Sequence, residues 1–416
     1  MKLNALVCLS GLAVIAVAAS APEKFALKDG DRVVFYGDSI TDQRLYTTFT
    51  ETYVVTRFPK LNVSFVHSGW GGDRVTGGGG GPIDVRLNRD VFAYKPTVMT
   101  IMLGMNDGSY RALDEGIFDT YKKGYQHIVE EVKNALPEIR LTLIEPSPFD
   151  DVTQPPKFEG GYNSVLVHYA QFVKELAEQK HMNAADLNAP VVAALEKAKA
   201  SNAELAKKII PDRVHPGPSG HLLMAAELLK SWNAPATVTA VELNAADRKI
   251  VAAQATKVTD FKADSGLTWT QQDQALPMPV DLNDSVMALA VGSSDFMQSL
   301  DQQTLKVTAL KESIYTLKID GSEMGTFTKE QLAEGINLAS LATPMAKQAV
   351  DVHKLTLQHN DVHFTRWRQV QLKAINAAPA SLQRALEALD ALEGDLVKQQ
   401  RAAAQPVPHQ YELQPK

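Results

Sequence analysis

Between Arg32 and Trp232, short apolar runs alternate with longer stretches whose apolar positions recur at helical spacing. Arg32–Tyr36, Val63–Val66, Val98–Leu103 and Ile139–Ile144 are brief, bulky or β-branched, and bounded by Gly, Pro or polar residues, which predicts strands. Helices are predicted near Leu45–Phe58, Ile117–Leu136, Tyr162–Gln179 and Gly220–Trp232; in the third, Val165, Tyr169, Phe172 and Leu176 share one face. Near-continuous apolar strands alternating with helices predict an α/β fold, a doubly wound parallel sheet flanked by helices.

The pattern changes near Ala236. Strand-like pieces follow at Thr237–Leu243, Leu267–Gln272 and Leu305–Leu310. Tyr315, Leu317 and Ile319 alternate with polar residues, and Asp320-Gly321 predicts a hairpin turn toward Met324–Phe327. At Thr343-Pro344, an N-cap followed by proline, the chain turns helical. Leu382, Leu386, Leu389 and Leu396 form a stripe expected to pack within this protein, and Ala402 to Lys416, with Pro406 and Pro408, reads as a loose tail. At the other end, Lys2, an apolar run from Ala5 to Ala19 and a small-residue exit read as a signal peptide cut before Ala21. The organisation expected is therefore a signal peptide over 1–20, an α/β domain over 21–236, a β-rich accessory region over 237–343 and a helical region over 344–416.

Composition narrows the classes. The chain has 416 residues and a formal net charge of −6, which excludes a polybasic nucleic-acid or membrane-surface protein and disfavours a strongly anionic substrate. Its single cysteine, Cys8, lies inside the leader, so the exported chain carries neither disulfide nor thiol nucleophile. The expected location is the periplasm or the medium, without stable membrane insertion once the leader is removed.

Three small clusters fall at the ends of consecutive predicted strands: Gly37-Asp38-Ser39-Ile40, Gly69-Trp70-Gly71-Gly72-Asp73 and Gly104-Met105-Asn106-Asp107. A parallel sheet brings such ends to one crevice. A fourth, Asp212-Arg213-Val214-His215-Pro216, lies just before the last helix of the domain. Ser39 needs a base to become a nucleophile, and His215 is the best candidate; Asp212 suits the second imidazole nitrogen. The backbone N–H groups of Ser39 and Gly72 and the side-chain amide of Asn106 would make an oxyanion hole. Asp38, Trp70, Asp107 and Tyr110 are candidate substrate contacts. Trp70, Tyr110, Phe149, Phe158 and Tyr162 fall on loops around the same rim, where one or two could stack on sugar rings. The run Gly77 to Gly81 reads as a mobile rim loop. His359 and His363, four apart on a predicted helix with His353 nearby, are a conceivable metal face, but no acidic or cysteine ligand shares that helical face with them, and no metal or cofactor is expected.

Taken together, the four blocks resemble those of the SGNH or GDSL-type hydrolases over about residues 30–233. The resemblance implies Ser39 as nucleophile, Gly72 and Asn106 as oxyanion donors, and Asp212 and His215 completing the triad. Two departures concern the pocket's shape: His67 stands where the second block often begins with Asn, and the glycine run is an unusual insert. The region after 236 resembles, in overall pattern only, an accessory segment of some bacterial members. The expected function is an exported serine esterase removing O-acetyl groups from glycans, with a small-molecule or polysaccharide ester as its partner. A lipase- or lysophospholipase-like acyl esterase, and a glycan-binding protein without turnover, fit the same residues.

Overall fold

The computed structural model describes residues 24–374 and 376–416; the leader read over 1–20 lies outside them. Five strands, β1 (Arg32–Gly37), β2 (Ser64–Gly69), β3 (Val98–Met102), β4 (Arg140–Ile144) and β5 (Asn183–Ala185), form an all-parallel sheet in the order β2-β1-β3-β4-β5. The first four match the predicted runs. The fifth was not foreseen, because Asn183-Ala184-Ala185 is short and carries no β-branched or aromatic residue. The flanking helices are α1 (Ser39–Asp42), α2 (Leu45–Arg57), α3 (Ile83–Asp90), α4 (Glu115–Ala135), α5 (Gly161–Gln179), α6 (Ala189–Ser201) and α7 (Pro218–Ser231). In register, Gly37 pairs with both Gly69 and Met102, so the loops after β1, β2 and β3 leave the sheet side by side. That is the switch point where strand order reverses, and such sheets hold ligands there.

The second region is built from two sheets. The strands β6 (Thr237–Asn244), β7 (Lys249–Gln254), β8 (Thr256–Ala263), β9 (Leu267–Asp273), β10 (Gln302–Thr308), β11 (Ile314–Ile319), β12 (Ser322–Thr328), β13 (Ile336–Asn337) and β14 (Pro408–Pro415) arrange as β8-β9-β14-β11-β12 and β13-β10-β6-β7. The Asp320-Gly321 hairpin forms as expected, both residues at positive φ. The loose tail does not: residues 408–415 are a central strand paired to β9 and β11. His409, Tyr411 and Leu413 point inward, and Tyr411 stacks on Trp269 at 5.0 Å. The flanking prolines and charged positions concealed this period-two pattern.

Two long helices, α8 (Pro344–Phe364) and α9 (Pro379–Ala403), pack together and tie the halves. Thr343 caps α8 through its side chain, accepting from Ala346 N–H at 3.1 Å. A π-helical segment, Thr365–Gln371, continues α8. On α9, Leu386 is buried and Leu382, Leu389 and Leu396 are half-buried. Because α8 covers its outer side, α2 is buried at twelve of thirteen residues, five of them threonines. Val54 belongs to the first hydrophobic core and Val55 to the second, each contributing roughly 1.5–3 kcal/mol by burial. Polar groups there find partners: Thr50 donates to Tyr46 O (2.8 Å) and Thr56 to Thr52 O (2.8 Å).

At the centre of this junction Glu51 is 2% exposed. One carboxylate oxygen lies 2.6 Å from His359 Nε2 and accepts from Gln400 Nε2 at 3.0 Å; the other lies 3.4 Å from His67 Nε2. Glu393 of α9 faces His359 and His363 at 3.9 and 3.5 Å. The acidic partners of these two histidines thus come from other helices, Glu51 from α2 and Glu393 from α9. His353 instead contacts Thr52 and stacks on Phe49. Among the described residues, no group of three or more His, Cys, Asp or Glu is arranged to hold a metal, and no helix is long and apolar enough to cross a membrane.

Candidate active site

Asp38 caps α1 by accepting from Ile40 N–H at 3.0 Å, which puts Ser39 on the first helical residue at the carboxyl end of β1. The Asp212–Pro216 loop approaches from before α7. It is held through Arg213, at φ 74°, whose guanidinium donates to Pro155 O (2.8 Å) and Gln154 Oε1 (3.1 Å). Asp212 folds this loop on itself: its Oδ1 accepts from Val214 N–H (2.9 Å) and His215 N–H (2.7 Å). Its Oδ2 lies 2.7 Å from His215 Nδ1, and His215 Nε2 lies 2.8 Å from Ser39 Oγ. Partial burial pushes the Asp212 carboxyl up, but the hydrogen bonds from His215 and Val214 outweigh it and hold the group below its ordinary value. His215 and Asp212 remain 35% and 56% exposed, so the relay opens to solvent.

The loop after β2 brings Gly72 alongside. Its φ of 75° is a conformation that favours glycine, and a Cβ there would meet nothing, so backbone geometry rather than space selects the residue. The loop after β3 delivers Asn106, whose Nδ2 donates to Asp73 O (3.1 Å) and whose Oδ1 accepts from Tyr110 O–H (3.0 Å). This orients the amide and leaves its second N–H hydrogen free. Ser109 and Tyr110 both sit at positive φ (56° and 54°), strain that folds Tyr110 back over Asn106.

The structure therefore brings Ser39, Gly72, Asn106, Asp212 and His215 to one crevice, while the candidate substrate contacts separate. Asp38 and Asp107 are buried, at 2% and 7% exposure, and serve the backbone; Asp107 accepts from Val75 N–H at 3.0 Å. Burial pushes both carboxyls up to about 7, against the pull of those N–H donors. Trp70 has one face covered by the Arg368 guanidinium at 3.5 Å and meets Trp367 edge-on at 5.7 Å. Phe149 and Tyr162 are core, the latter donating to Met105 O at 2.7 Å; Phe158 is half-buried, and Tyr110 is exposed.

The glycine run is a compact hairpin, Gly77–Gly78 pairing with Gly81–Pro82. A Cβ at Gly80 would fall 2.6 Å from both Trp70 and Arg86, so the run is small because it lies against that tryptophan. Beneath it Arg86, fully buried, donates to Asp73 (2.7 Å), Asp90 and Ser68 O (2.9 Å). His67, the departure in the second block, points away from the crevice to Thr47 (2.7 Å) and Glu51.

Residues 35–223 match the GDSL-like Lipase/Acylhydrolase family. An acetylxylan esterase from Geobacillus stearothermophilus is 25% identical over 228 residues, covering 48% of this chain and 93% of that protein. A solved structure of a gut microbial diltiazem-metabolizing enzyme is similar across both halves: 27% identity, 94% of this chain, 98% of that one and a TM-score of 0.80. With five parallel strands and four motif-bearing loops meeting at the switch point, the segment over 35–223 has the fold and the family match of an SGNH/GDSL-type hydrolase.

Proposed function

We propose that the protein is a serine esterase in which Ser39 attacks the ester carbonyl. The observation that carries this is the unbroken line from Ser39 Oγ through His215 to Asp212, at 2.8 and 2.7 Å. In this reading Nδ1–H donates to Asp212, leaving Nε2 to take the serine proton. The C–O bond to the leaving alcohol then breaks as His215 returns the proton to it. Water, activated by the same histidine, hydrolyses the acyl-serine and regenerates Ser39. The N–H groups of Ser39 and Gly72 and the amide of Asn106 stabilise the oxyanion in both halves.

For the substrate we favour an O-acetyl ester on a carbohydrate. The exposed relay suits an ester carried on a bulky alcohol, and a relative sharing the first half is an acetylxylan esterase. The leader over 1–20 supports export to where such polymers occur. Ser39→Ala should abolish hydrolysis of p-nitrophenyl acetate with the circular dichroism spectrum unchanged; undiminished turnover would overturn the mechanism. Acid release from acetylated xylan, diltiazem and a series of p-nitrophenyl esters tests the substrate. Preference for acetyl over longer acyl chains is expected, and preference for long chains would replace the carbohydrate reading with a lipase-like one.

A further inference from the structure

The loop carrying Gly72 is held from outside the hydrolase domain. Arg368, on the π-helical segment after α8, lays its guanidinium over the Trp70 ring at 3.5 Å. Its Nη1 donates to Gly69 O (3.3 Å) and to Asp42 Oδ1 (3.2 Å). The other oxygen of Asp42 accepts from Gly71 N–H at 3.2 Å. Trp70 N–H donates to Gly37 O (3.0 Å), and Asp73 N–H to Trp70 O (3.1 Å). Gly72 is thus flanked on both sides by tethered peptides, while its own position, at φ 75°, is open where a Cβ would stand. The segment delivering Arg368 is itself pinned, since Trp367 Nε1 donates to Asp90 Oδ1 at 2.8 Å.

We propose that Arg368 is a positioning residue for ester hydrolysis, supplied by the C-terminal region to keep the Gly72 N–H aimed at the oxyanion. This rests on the reading of Gly72 as an oxyanion donor. Arginine suits the task because one planar group stacks on an indole and forks between a carbonyl and a carboxylate, which a lysine ammonium does not reproduce. A short π-helical stretch, the backbone form often found at functional sites, displaces Arg368 from the register of α8.

The experiment compares Arg368→Ala, Arg368→Lys and Arg366→Ala in the full chain. Arg366 serves as the control because it pairs with Asp390 on α9, at 2.5 Å, rather than with the catalytic loop. Active sites are titrated with a fluorophosphonate, and kcat, KM and the affinity for a trifluoromethyl ketone analogue of the acetyl ester are measured per titrated site. Removing an oxyanion donor outright costs about 100- to 1,000-fold, so loosening one should lower kcat roughly tenfold in Arg368→Ala. Analogue affinity should fall in parallel, with KM nearly unchanged and partial rescue by added guanidinium. Arg368→Lys should lose severalfold and Arg366→Ala nothing. A role in stability alone would reduce the number of titrated sites while leaving kcat per site and analogue affinity intact; that result overturns the proposal. Should Arg368→Ala not fold, Arg368→Lys decides, full activity per site being the overturning result. Turnover by Ser39→Ala would defeat the underlying mechanism, whereas an inactive Ser39→Ala beside a fully active Arg368→Ala defeats only this inference.

Discussion

Replacing Glu51 with Gln removes one charge from the junction between the hydrolase domain and the C-terminal helices while keeping the side chain's shape. In the wild type, the Glu51 and His359 side chains are almost wholly buried and 2.6 Å apart. Burial pulls the His359 imidazolium down, but Glu51 and Glu393 outweigh it and hold the ring up at about 9. Burial likewise pushes Glu51 up, and His359 and His67 hold it well below the usual carboxylate range. The remaining neighbours are His67, pushed down to about 4 by burial, His363 on α8, and Arg401 on α9. The interval between an ordinary 6.5 and about 9 corresponds to roughly 3 kcal/mol, similar to the cost of breaking a buried pair. Because the folded value of His359 lies above the unfolded one, this stability is fully present below 6.5 and is lost as pH rises through 9. Urea unfolding followed by circular dichroism should therefore place Glu51→Gln below wild type at neutral pH by up to about 3 kcal/mol, since Glu393 keeps its share of the effect, with the gap narrowing by about pH 9.5. An equal gap at both pH values would refute the assignment to the imidazolium pair. A neutral-pH gap below about 1 kcal/mol would show that the charge is not buried as described.

The remaining predictions concern catalysis. Asn106→Ala should reduce kcat by about a hundredfold or more, read from steady-state hydrolysis of p-nitrophenyl acetate. Tyr110→Phe, which deletes only the O–H donated to Asn106, should lower kcat severalfold and leave KM nearly unchanged; a change in KM alone would make Tyr110 a substrate contact after all. Gly80→Val should push the glycine hairpin off Trp70 and Arg86, lowering both melting temperature and kcat, because a Cβ there falls 2.6 Å from each.

What could be read from the sequence follows from how local each signal is. The strands ahead of Ser39, Gly72 and Asn106 are short and mostly apolar, with a glycine at or just past the end of each, so their class and the convergence of their loops were legible. The Asp212–His215 pair was legible because its members lie on one turn. Other features depend on contacts distant in sequence. The polar residues of α2 are interior because α8 covers them, and Arg368 reaches Asp42 across 326 positions. The role of Tyr110 depends on two left-handed residues, Ser109 and Tyr110, that no propensity favours. The burial of Asp38 and Asp107 is not legible in sequence, because an N-cap and a turn place carboxylates beside a site as readily as within it.

The position of β14 bears on how the chain folds in time. Its partners β9 and β11 are made well before it, and the Thr270–Gln410 contact spans 140 residues. Until residues 408–415 have been made, the second sheet exists only as two fragments, each with an open edge inviting the wrong neighbour. Closing so long a loop is entropically slow, which makes this half the late-folding one and the half most dependent on protection while it waits. If Arg368 is the brace inferred above, the crevice can assemble early, but its oxyanion loop is fastened only once residue 368 has been made and docked, well after the strands of the first sheet.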